Sequence, residues 1–187
     1  MSDFEFIFAL YGLLLGLSLA EVLGGLARAI EARLRPGSTI RIGWLTPLLG
    51  AFVILDLLSF WQAAWTVREL VLVSGKALMA ITVFASAYYL AAHLVFPREV
   101  QEEADFDAHF FRVRRIVIGV MLALLICQLG FYAGLPKIAP HLFRPLALTL
   151  TVILAALMLA AMFVPNNRWA RVVMAALVAR YVVVYLL

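Results

Sequence analysis

Apolar residues run along this chain in long blocks, broken by short clusters of charge, proline and glycine. Six blocks are long enough to cross the roughly 30 Å of a bilayer's hydrocarbon, which takes about 20 helical residues. They cover about 4–30, 44–67, 77–96, 113–135, 145–164 and 169–187. Turn chemistry bounds them: Pro36-Gly37 after the first, Ser74-Gly75 before the third, and Pro97, Pro136 and Pro165 after the third, fourth and fifth. All six are helices, because an open strand in lipid leaves backbone groups unpaired. The pattern predicts an all-α integral membrane protein, a six-transmembrane-helix bundle forming a single domain over residues 1–187.

Composition agrees with the pattern. Apolar residues make up 66% of the chain and charged residues 14%, where a water-soluble domain carries about a quarter. The basic excess, 15 Lys and Arg against 11 Asp and Glu, is mild and sits in loops. It therefore bears on membrane orientation rather than on nucleic acid. Arg28, Arg33, Arg35 and Arg41 lie near or within the first connection, Arg98, Arg112, Arg114 and Arg115 near the third, and Arg168 and Arg171 near the fifth. Only Arg68, Lys76, Lys137 and Arg144 mark the other side. That bias places both termini on the outer side, periplasmic in a bacterial inner membrane. The N-terminal segment lacks the basic region and cleavage site of a signal peptide, so the first block is expected to stay as a helix. Cys127, the single cysteine, excludes an internal disulfide, a CxxC redox pair and a cysteine zinc site.

Residues 97–112 read as an acidic cytoplasmic loop. Phe106, Phe110 and Val113 in and just after it share one helical face, and Asp105 and Asp107 suit the N-terminal dipole of the fourth helix. Glu102, Asp105, Asp107 and His109 are divalent-ion ligand types, but a solvated acidic helix start accounts for them better. A faint 3+3 inverted repeat is also present: Gly12 on Gly119 puts Glu21 on Gln128, and Lys76 on Arg168 puts Tyr89 on Tyr181. Two separate offsets are needed, so chance matches it as well.

Charges within a span cost about 2.5 to 3.5 kcal/mol each and ask for a partner or a task. Asp56 lies twelve residues past Trp44, and Arg180 twelve past Arg168. Both fall about 18 Å deep, so an ion pair near mid-membrane is expected. Glu21 is shallower, with Arg28 two turns on and His93 at a similar depth, a set able to pass a proton. Gln128 sits in the outer half of the fourth helix. Together Arg28, His93, Glu21, Asp56, Arg180 and Gln128 form a polar ladder that either lines a path or ties helices together. Gly12, Gly16, Ala20 and Gly24 recur every four residues, a small-residue stripe for close helix packing or an oligomer interface.

Inventory excludes several chemistries. Only His93 lies near the bilayer, with His109 and His141 in loops, so a bis-histidine haem and a multi-histidine zinc hydrolase fail. No GxSxG elbow or phosphate-binding glycine loop appears, and the basic residues of the sixth helix are too sparse for a voltage sensor. No catalytic residues, metal or cofactor are expected. The leading function is a small channel or transporter with a path for an ion, proton or small polar solute. The alternative is a non-catalytic accessory or assembly subunit of a larger membrane complex. A lipid-acting enzyme ranks third, since no nucleophile–base constellation is visible. The expected partners are the lipid bilayer and either further copies of the chain or a larger complex.

Overall fold

The computed structural model describes residues 3–68, 74–98 and 105–186, apart from the side chains of residues 3, 4, 141 and 142. Among them are six long helices: α1 (Asp3–Leu34), α2 (Leu45–Thr66), α3 (Gly75–Val95), α4 (Phe106–Ala133), α6 (Pro145–Phe163) and α7 (Asn167–Leu186). The short α5 (Ala139–Leu142) lies in the connection between α4 and α6. All six long helices are apolar and long enough to span a bilayer. The chain is a multi-pass, six-helix membrane bundle.

The helix ends follow local chemistry. Ser74 caps α3 by accepting from the Ala77 N–H at 3.1 Å. Pro97 ends α3 by pushing Phe96 into an extended conformation. Pro145 begins α6, where its missing N–H costs nothing. Asn166 caps α7 by accepting from the Arg168 N–H at 2.8 Å.

Two boundaries differ from the sequence expectation. Helix α1 continues to Leu34, and Ala32 is still buried beyond the expected end. Helix α4 begins at Phe106 rather than near residue 113, because Asp105 accepts from the Asp107 and Ala108 N–H groups and starts the helix there. Much of the expected loop is therefore helix, with Phe106 and Phe110 fully buried. Asp107 does not serve its own helix: its Oδ1 accepts from the Trp44 and Leu45 N–H groups, capping α2. Gly43 makes room for that carboxylate with a positive φ of 60°, and a Cβ there would lie 2.2 Å from it. His109 Nε2 lies 3.3 Å from the Leu94 carbonyl oxygen. Glu102 falls outside the described residues, and among those described no three His, Cys, Asp or Glu side chains converge as metal ligands would.

Helix α2 is the hub, packing against α1, α3, α4 and α7. The remaining contacts between long helices run α1 to α3, α3 to α4, α4 to α6 and α6 to α7, so α6 is held mainly by α4 and α7. Phe96 turns inward at the end of α3 and fills the junction with α1 and α2. A Cβ on Gly25 would lie 2.7 Å from Phe96, and one on Gly50 3.2 Å from its ring. Arg114, expected as a loop residue, is buried and donates to the Ala161 carbonyl at 3.1 Å and to that of Val164. It thereby satisfies the open C-terminal end of α6.

Candidate functional site

At the centre of the hub helix lies Asp56, only 4% exposed. An apolar interior tolerates a carboxylate only when its oxygens are hydrogen-bonded. Both are: the Tyr88 hydroxyl donates to Oδ2 and the Tyr181 hydroxyl to Oδ1. Asp56 thus joins α2 to α3 and α7 through two phenols that are themselves buried. Tyr88 is wedged against Phe60, with ring centroids 5.0 Å apart, and against Phe84 at 5.9 Å. Tyr181 packs against Phe52. These contacts fix the phenol orientations before any hydrogen bond is counted.

Arg180 does not form a salt bridge with Asp56 among the described residues. Its Nη2 donates to the Leu150 carbonyl on α6 at 3.1 Å, and its guanidinium lies 5.0 Å above the Tyr181 ring. Its Nε is buried without a hydrogen-bond partner. The expected direct pairing is replaced by one through Tyr181, which contacts the carboxylate with its hydroxyl and the guanidinium with its ring. Hydroxyls satisfy the carboxylate at shorter reach than a long arginine stem, and the guanidinium finds a backbone acceptor instead.

A second cluster lies towards the end carrying the α1–α2 and α3–α4 connections. His93 Nδ1 is 3.1 Å from Glu21 Oε1, and Arg28 Nη2 is 3.5 Å from the same oxygen. Their side chains are 36%, 24% and 43% exposed for His93, Glu21 and Arg28. The structure therefore brings these three together, on α1 and α3. Tyr89 stacks on the His93 ring at 6.2 Å. The step along α3 from His93 to Tyr88 is about 7.5 Å at the helical rise.

Towards the opposite end, Gln128 donates to the Tyr132 hydroxyl at 3.2 Å, and that hydroxyl donates to the Ala63 carbonyl at 3.1 Å. Both residues line a cavity of about 310 Å³ between α1, α2, α3 and α4. Tyr11 is also on its wall. No hydrogen bond joins Gln128 to Asp56 among the described residues, where the partners of Asp56 are Tyr88 and Tyr181.

The small-residue stripe divides by position. Gly12 packs against Trp61 of α2, where a Cβ would lie 2.8 Å from the indole. A Cβ at Gly24 would touch only Arg28 of the same helix, while at Gly16 it would meet nothing within 4 Å, and Ala20 is exposed.

The residues that reading the sequence missed are phenols. Tyr11, Tyr88, Tyr132 and Tyr181 all sit within spans, where ionisable groups and amides draw attention first. Position carries part of the missing signal for two of them: Tyr88 lies near the middle of α3, and Tyr181, in the second half of α7, adjoins Arg180. The repeat alignment set Tyr89, one residue away from the true contact, opposite Tyr181. No protein-family model, curated protein or solved structure matches this chain.

Proposed function

We propose that this membrane protein is a transporter-like carrier in which Asp56 is the protonatable centre. The observation that carries the reading is the carboxylate on the hub helix, held by one hydroxyl from α3 and one from α7. An ionised Asp56 accepts from both, and hydrogen bonds to a charged acceptor are the strong kind. Protonation removes the charge and turns one oxygen into a donor, so both tyrosine bonds weaken together. Proton binding then favours a bundle in which α2 is less tightly held to its neighbours, a shift of population between two packings. Glu21, Arg28 and His93 form the polar end of the route on one side, and Gln128 with Tyr132 on the other. Arg180 supplies positive charge behind Tyr181. The arginine bias of the connections supports an inner-membrane orientation with both termini outside.

Liposomes reconstituted with the wild type are expected to dissipate an imposed pH gradient, with Asp56→Asn at the protein-free background. Equal background flux from both would remove the carrier reading.

A second reading, an accessory subunit or homo-oligomer, is favoured by the α1 surface at Gly16 and Ala20, where a Cβ at Gly16 has open space before it. Cross-linking in native membranes through a cysteine placed at Ala20, in a chain with Cys127→Ala, tests it. Cross-linked species containing a second copy or another subunit support this reading, and monomer alone opposes it.

A further inference from the structure

The cavity between α1, α2, α3 and α4 holds a feature that helix packing alone does not explain. Its volume is about 310 Å³, the lower end of the range for small-molecule sites. The room comes from small residues, Ala64 on α2 and Ala77 and Ala80 on α3, set among aromatic rings. Phe8, Phe60, Phe84 and Phe131 supply four of those rings, and no acidic or basic side chain is on the wall. The rim is reachable from lipid, since Phe131 is 53% exposed and Ala80 is exposed.

Tyr11 gives the wall a polar point. It is 7% exposed and lines the cavity, yet its hydroxyl has no hydrogen-bond partner among the described residues. A hydroxyl left without a protein acceptor beside an apolar space costs free energy that a bound acceptor would return. Among the described residues the buried phenols Tyr88 and Tyr181 have Asp56 as acceptor, and the half-buried Tyr132 has the Ala63 carbonyl. Tyr11 is the exception, and it faces a space shaped for a guest.

We propose that this cavity binds one neutral lipophilic molecule bearing a hydrogen-bond-accepting oxygen, which the Tyr11 hydroxyl engages. The uncharged wall selects against a carboxylate or phosphate inside the cavity, because no cation is there to compensate its desolvation. Aromatic rings and alanines accept a chain or a ring, and Gln128 lies on the same wall with its amide donating to Tyr132. Phe60 and Phe84 belong both to this wall and to the packing around Tyr88, so the guest sits one ring away from the Asp56 clamp. The inference stands independently of proton movement at Asp56.

The test uses native mass spectrometry of the full chain in detergent with three probes of equal length: methyl undecyl ketone, tridecane and tridecanoate. The wild type should retain one ketone per chain in a saturable manner, tridecane roughly threefold to tenfold more weakly, and tridecanoate least of all. Tyr11→Phe should bring the ketone down to the level of tridecane. Ala80→Phe and Ala64→Phe fill the cavity from two different helices, and whichever keeps the wild-type unfolding transition should lose both neutral probes. Ketone adducts that survive cavity filling, or that never saturate in the wild type, would overturn the site. A ketone preference that persists in Tyr11→Phe would overturn the assigned hydrogen bond.

Discussion

Asp56 and Glu21 are carboxylates on neighbouring helices of one bundle, and the protein accommodates them in opposite ways. Glu21 is 24% exposed and takes cationic or titratable partners, Arg28 and His93, that are also partly exposed. Asp56 is 4% exposed and takes neutral phenols, with the nearest cation held off by a ring. Desolvation accounts for the difference. Near the interface each charged partner keeps some water, so an ion pair costs little to form. In the interior a second charge must itself be stripped of water, and a hydroxyl donor meets the carboxylate without that cost. Depth therefore decides whether an acid in this bundle is paired by charge or clamped by hydrogen bonds.

The largest effect should come from emptying the clamp. Asp56→Ala strands two buried hydroxyls and is expected to destabilise the bundle by about 3 kcal/mol, since each unsatisfied group costs about 1–3 kcal/mol. Reversible unfolding in SDS micelles measures it. A loss no larger than that of Glu21→Ala would break the comparison. Next come the phenols: Tyr88→Phe and Tyr181→Phe should each cost about 1 kcal/mol, within the range of hydrogen bonds between membrane helices. The two share one carboxylate, so a double-mutant cycle in the same assay should show coupling of about 0.5 kcal/mol or more. Strict additivity would mean that the phenols act separately.

At the Glu21 cluster, Glu21→Gln should cost less than about 1 kcal/mol. The smallest effect is that of salt. Raising ionic strength should narrow the difference between the wild type and Glu21→Gln while leaving that between the wild type and Asp56→Asn unchanged, because screening reaches exposed pairs far more than buried ones. Equal salt sensitivity at both sites, in the same unfolding assay, would place Asp56 nearer to water than its burial indicates.

The bundle was legible because bilayer thickness sets helix length, and proline, glycine and serine mark the ends. Glu21, Arg28 and His93 were legible for a similar reason: depth along two helices, counted from their basic ends, brings them level. Asp56 and Arg180 are level too, but depth says nothing about rotation around a helix axis. That is why their contact runs through Tyr181 instead of directly between them. Asp107 escaped for a different reason. Its partners are the N–H groups of Trp44 and Leu45 on another helix, and no local pattern around residue 107 points across the fold. The Tyr11 cavity is a vacancy among side chains of four helices, which a linear pattern does not record.

The central claim is that Asp56 exchanges protons within its tyrosine clamp. Infrared difference spectra between acidic and alkaline pH, recorded on reconstituted wild type and Asp56→Asn, test it most directly. The account predicts a carboxyl carbonyl band that appears on acidification, shifts in deuterated water, changes frequency in Tyr88→Phe and Tyr181→Phe, and is absent from Asp56→Asn. Identical spectra from the wild type and Asp56→Asn would contradict it.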